Sequence, residues 1–111
     1  MESQTSKSHI RGSLDLLILK ALALEPRHGV GIAQRIRQIT QEAIDVSYGS
    51  LFPALHRMEE KGWLASEWGA SDNGRRSKYY RLTRTGRKQL EREERQWGQV
   101  VKVISAALRS G

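Results

Sequence analysis

Ser47-Tyr48-Gly49-Ser50-Leu51-Phe52-Pro53-Ala54-Leu55-His56-Arg57-Met58-Glu59-Glu60-Lys61-Gly62 is the stretch whose reading decides the fold. Ser47 suits a helix N-cap, because its hydroxyl can accept a bond from a free N–H of the first turn. Gly62 suits a C-terminal stop, where the backbone turns left-handed. Between them Leu51, Leu55 and Met58 recur at i, i+4 and i+7, the spacing of one buried helix face. The spacing predicts a helix from Ser47 to about Lys61, with Tyr48, Ser50, Pro53, His56 and Arg57 on its other side. Pro53 removes one backbone bond and bends the first turns, and Gly49 stands four residues earlier, at the carbonyl its ring would crowd.

Downstream the period changes. Residues 63–68 and 77–82 are rich in aromatic and strand-forming side chains, and residues 69–76 between them are polar and contain Asn73-Gly74. A β-hairpin with a basic tip is expected. Thr83 then caps a last helix that reaches about Leu108. Leu90, Trp97, Val101, Ile104 and Leu108 are spaced 7, 4, 3 and 4, the narrow seam of helix-to-helix packing.

Upstream, Ser13 precedes an apolar run from Leu14 to Leu24 that Pro26 ends. Ser13 suits an N-cap, and Asp15 in the first turn suits the helix dipole. This helix is apolar nearly all round, so it needs cover on more than one side, and in a chain of 111 residues a second subunit is a natural source. His28-Gly29 opens a second amphipathic helix, expected at 29–40, and Ala43 to Val46 is short enough to be a single extended segment. Residues 1–11 are polar and expected to be flexible, residues 12–83 to form one domain, and residues 84–111 to form a C-terminal dimerisation helix.

Charge points to the partner. The chain has 19 Lys and Arg against 12 Asp and Glu, a formal +7. Arg75, Arg76, Lys78, Arg81, Arg84, Arg87 and Lys88 lie in one acid-free window and account for that whole excess. A basic strip on an otherwise neutral chain suits a polyanion better than a merely solvated face. There is no cysteine, so disulfides, thiol chemistry and cysteine zinc sites are excluded. His9, His28 and His56 suggest neither a catalytic triad nor metal spacing, so no enzyme, cofactor or metal is expected. No apolar run approaches the roughly 18 residues of a membrane span, and the N-terminus lacks a signal-peptide core, so a cytoplasmic, soluble protein is expected.

Three helices followed by a basic hairpin and a fourth helix are the layout of a winged helix-turn-helix. In that layout the third helix presents its N-terminal part to base edges, and the wing carries cations to phosphates or the minor groove. The expected contacts to double-stranded DNA are Ser47, Tyr48, Gly49, Ser50, Phe52, Pro53, His56 and Arg57 on the helix, with Arg75, Arg76 and Lys78 on the wing. Arg57 is the best candidate for a two-pronged contact to guanine. Phe52 suits either core packing or a DNA contact, and His56 either a contact or an exposed helical histidine.

Several segments together resemble the PadR family of transcription regulators, in its short form without a large extra C-terminal domain. They are Leu14 to Leu19, His28-Gly29, Gly49 to Gly62, Arg75 to Thr83, and Gly86, so the resemblance spans about residues 12–108. It implies a homodimeric repressor of promoter inverted repeats, with the first and last helices forming the dimer through Leu14, Leu17, Ile18, Leu90, Trp97, Val101, Ile104 and Leu108. Phe52 stands where the family commonly has tyrosine, and Val30 where an aromatic is frequent. Trp97 is similar to a tryptophan that lines an inter-subunit pocket for planar aromatic effectors in some small drug-sensing relatives; a plain dimer-core aromatic is the other reading. The competing functions are a nonspecific architectural DNA-binding protein, a protein-interaction module on the same fold, and a repressor without an effector.

Overall fold

The computed structural model describes residues 13–71 and 73–110. The polar N-terminal segment expected at 1–11 lies outside the described residues. Helix α1 covers 13–21 and is followed by strand β1 (Arg27–His28), helix α2 (Gly29–Ile39) and helix α3 (Tyr48–Glu60). Strands β2 (Leu64–Ala70) and β3 (Arg76–Leu82) form the hairpin, and α4 (Arg84–Arg109) closes the chain. The mainly helical winged helix-turn-helix with one long C-terminal helix is therefore present.

One local expectation needs correction: Ser13 is itself helical rather than a cap. Residues 44–46, within the stretch expected as a short extended segment, lie outside any helix or strand. The hairpin also has a third member. β1 pairs antiparallel with β3, Arg27 opposite Tyr80 and His28 opposite Tyr79, giving the order β1-β3-β2. Two residues carry no alternating pattern of their own, and their pairing partners lie some fifty positions away.

The helix ends follow local chemistry. Ser47 Oγ accepts from the Ser50 N–H at 3.3 Å. At the other end of α3, Gly62 takes φ +80°, the Trp63 N–H bonds the Met58 carbonyl and the Gly62 N–H that of Glu59, each at 3.0 Å. These are the two bonds of a Schellman stop. His28 caps α2, its Nδ1 accepting from the Gly31 N–H at 3.0 Å, while its ring meets Tyr79 edge-on at 5.2 Å. Between α2 and α3 the chain reverses through Gln41 and Glu42, both left-handed and neither glycine. Thr40 and the Arg37–Glu42 ion pair at 3.0 Å brace that turn.

One core joins the four helices and the hairpin. Ile18, Leu19 and Leu22 meet Ile32 and Ile36 of α2, Leu51, Leu55 and Met58 of α3, Leu64, Tyr80 and Leu82 of the sheet, and Leu90 of α4. Each fully buried large side chain contributes about 1.5–3 kcal/mol. The start of α4 is seated against Trp63, and a Cβ on Gly86 would overlap the Trp63 carbonyl. Thr83 accepts from the Gly86 N–H at 2.9 Å and donates to the Gly62 carbonyl at 2.6 Å.

Candidate nucleic-acid interface

Helix α3 divides its residues sharply. Leu51, Ala54, Leu55 and Met58 are buried, whereas Tyr48, Gly49, Ser50, Phe52, Pro53 and His56 face solvent. Phe52 is 45 % exposed. Its ring lies against Gly29, where a Cβ would come within 2.6 Å of Cζ, and 5.9 Å from the Tyr48 ring. Exposed His56 pairs with Glu60 one turn on, at 3.4 Å. Phe52 thus follows neither expectation alone: it packs on one side and is open on the other.

Arg57 requires a correction. It is turned away from the outward face of α3 and grips Asp15 of α1 with both terminal nitrogens, at 2.9 and 2.8 Å. Asp15 is only 7 % exposed. A buried carboxylate without a partner is costly, so the fork that suits guanine is taken by the core instead. The Asp15 hydrogen bonds raise the Arg57 pKa further, against the opposing effect of burial, with the Asp15 charge adding to the rise. Asp15 does lie in the first turn of α1, and beyond that expected position it holds Arg57. The signal was in the sequence: Asp15 is the sole acid between Leu14 and Leu24, and an acid on so apolar a helix needs a cation.

The wing is braced. The Ser71 N–H bonds the Arg75 carbonyl at 2.8 Å, Gly74 turns at φ +81°, and Tyr79 donates its hydroxyl to the Ala70 carbonyl at 2.7 Å. Arg75 and Arg76 are exposed. Arg76 lies 5.1 Å above the ring of Trp68, a cation–π contact that holds the guanidinium outward. Lys78 is less free: its Nζ is 3.5 Å from Glu59 and lies over Tyr80. Glu59 also accepts from the Ser66 hydroxyl, so the end of α3 is bound to both wing strands. Burial pushes the Tyr80 phenol up, and Lys78 counters it.

The starts of α2 and α3 and the wing border an open cleft of about 740 Å³, lined by Val30 and Gln34 of α2 and Phe52 of α3 on the helical side and by Trp68, Asn73, Arg75, Arg76 and Lys78 on the other. Exposed apolar and hydrogen-bonding groups face cations across it. Trp68 and Val30 were not among the expected contacts; the clue to Trp68 was its place on the strand beside a run of arginines.

The expected dimer residues also separate. Leu14, Ile18 and Leu90 are buried in the chain's own core, so they are not available as seam residues. Leu17 and Trp97 are half-buried. Val101, Ile104 and Leu108 are exposed, at 60, 52 and 78 %. Lys20 pairs with Glu94 at 3.0 Å and Arg87 donates to the Ala23 carbonyl at 3.3 Å, so the first part of α4 rests on α1. Among the described residues there is no cluster of three or more potential metal ligands, and no helix long and apolar enough to cross a membrane.

The model of the transcriptional regulator PadR-like family matches residues 18–92. The transcriptional regulator Rv3488 of Mycobacterium tuberculosis is 36 % identical over 85 residues, 77 % of this chain and 76 % of that protein. A transcriptional regulator from Clostridium thermocellum superposes with TM-score 0.79 at 31 % identity, covering 89 % of this chain and 96 % of that one. A PadR family regulator from Clostridium difficile gives TM-score 0.75 at 32 % identity, covering 86 and 97 %.

Proposed function

The chain belongs to the transcriptional regulator PadR-like family, and from that premise we propose that it is a homodimeric, sequence-specific repressor that binds inverted repeats in promoters. One observation carries the reading. Phe52 of α3, with Val30 and Gln34 of α2, lines the same cleft as the cations Arg75 and Arg76, which sets a base-reading surface and a phosphate-binding surface side by side. The glutamate bridge from α3 to the wing, through Glu59, keeps that relation rigid.

Dimerisation is supported by the end of α4. Val100, Val101, Val103, Ile104 and Leu108 are exposed on a helix that has left its own core. A second copy of this helix would cover them. Two recognition helices would then meet successive major grooves about 34 Å apart, one turn of DNA. Occupying a promoter at such a site excludes transcription. Trp97 is half-buried at the start of the exposed segment, a position from which it would stack on a planar aromatic effector held between subunits. An effector acts only by favouring a dimer whose two helices are out of register with the grooves.

The test is selection of binding sites by the purified protein from a random pool of duplex DNA. A two-fold symmetric consensus with half-sites one turn apart is expected. Binding without a consensus, abolished by moderate salt, would replace this reading with a nonspecific architectural binder.

A further inference from the structure

We propose that α3 reads its half-site chiefly through thymine methyl groups, with the exposed ring of Phe52 as the reading surface. The inference rests on the DNA-binding reading above and adds what that reading leaves open, the chemistry of base recognition.

The argument starts from what α3 lacks. Two-pronged reading of guanine needs Arg or Lys, and two-pronged reading of adenine needs Asn or Gln. Between Tyr48 and Glu60 the helix has one residue of these four types, Arg57, and both its terminal nitrogens are bound to Asp15. What remains on the outward face gives single hydrogen bonds, from Tyr48, Ser50 and His56, or apolar contact.

Apolar contact is the stronger offer. Phe52, Tyr48 and Val30 are each about half exposed and lie together where the starts of α2 and α3 meet. Phe52 cannot fold back into the core, because the Leu51 and Leu55 positions fill it and Gly29 already meets the ring. The absence of a Cβ at Gly29 lets the tip of the ring close against the start of α2, which limits how the ring can turn. Across the cleft stand Arg75 and Arg76, which favour a polyanion over an apolar protein surface. Among the edges that duplex DNA presents in the major groove, only thymine carries a methyl group. A half-exposed aromatic ring facing cations across a cleft therefore matches a thymine edge beside a phosphate backbone.

The experiment uses the full chain and the duplex recovered from the random pool. Each thymine of one half-site is replaced in turn by deoxyuridine, which removes the methyl and leaves the pairing edge unchanged. Affinity is read by fluorescence anisotropy. At one or two positions the wild-type protein should lose roughly three- to five-fold per methyl, the scale of one buried methyl group. Phe52→Ala should weaken binding to the thymine duplex and respond to deoxyuridine at those positions by less than two-fold, while Phe52→Leu keeps most of the discrimination. The thermal midpoint of Phe52→Ala, and its retained salt-sensitive binding to unrelated duplex, show that it folds. A half-site without thymine overturns the inference and leaves the DNA-binding reading intact. So does a wild-type protein indifferent to every deoxyuridine on a duplex it binds specifically. Failure to recover any consensus overturns both.

Discussion

Two surfaces of this molecule expose large apolar side chains, and they differ in everything except that exposure. One is the strip of Val30, Tyr48 and Phe52 beside the wing; the other is the end of α4, from Val100 to Leu108. The first is short, held rigid by a glycine contact and faced by arginines. The second repeats along a helix with Lys102 as its one charge between Val100 and Leu108. It also projects: the molecule measures 55 × 27 × 26 Å, and its radius of gyration of 15.4 Å exceeds the roughly 13 Å of a compact chain this long. A helical stretch of about fifteen residues is marginal in water when nothing covers it. The lesson is that exposure of apolar groups does not identify a partner. The neighbouring charge and the length of the repeat do, and on them rests the proposal of nucleic acid at one surface and a second copy at the other.

The largest expected effect breaks the second assignment. Val101→Glu combined with Ile104→Glu should give monomers in light scattering, since a charge buried in an apolar seam is not tolerated. Operator affinity should then fall by roughly 100-fold or more, as the two half-sites lose their linkage. Binding of unrelated duplex through the wing should change little. A dimer that persists would move the subunit contact away from the end of α4. Leu90 is not a substitute target, because it belongs to the protomer core and its replacement would unfold the chain instead.

The second effect sharpens the first assignment by testing what does not read DNA. Arg57→Ala leaves the Asp15 carboxylate buried and unpaired, and should lower stability by about 3 kcal/mol. Asp15→Ala added to it should recover part of that loss, because the orphan charge is then gone. Thermal denaturation of the three variants checks both statements. At a temperature where Arg57→Ala is folded, site selection should return the wild-type consensus. A consensus relaxed at a guanine would mean that Arg57 leaves Asp15 to reach DNA.

This pair also marks where the sequence stops being legible. The cap at Ser47, the stop at Gly62, the hairpin turn and the cap at Thr83 are local signals, and each element stands where those residues place it. Arg57 and Asp15 are 42 positions apart, and nothing local says that a helical arginine turns inward. β1 was hidden for the same reason, since Arg27 and His28 are strand only because Tyr79 and Tyr80 lie beside them. The seam on α4 was correct as a periodicity but mixed two environments: Leu90 faces its own core and Val101 faces solvent, with the change falling near Trp97. A helix carries the same spacing whichever partner it meets. The candidate site was legible as a set of residue types on α3 and the wing, but not in the division of labour among its cations.

The smallest expected effect concerns that division. Arg75→Ala with Arg76→Ala removes the two exposed cations of the wing, whereas Lys78→Ala removes one already drawn to Glu59. If each free arginine neutralises one phosphate, the double variant removes four such contacts from a dimer, two per subunit, and should flatten the dependence of log affinity on log salt by about 4, equally for operator and unrelated duplex. Lys78→Ala should flatten it by well under the roughly 2 units that two free lysines per dimer would give, because an ion pair within the protein displaces no DNA counterion. Trp68→Ala offers an internal control: it leaves every charge in place but removes the ring beneath Arg76, so affinity should fall modestly with the slope nearly unchanged. An unchanged slope in the arginine double variant would remove the wing from the phosphate contact. It would also leave the apolar strip beside it without the cations that distinguish it from the end of α4.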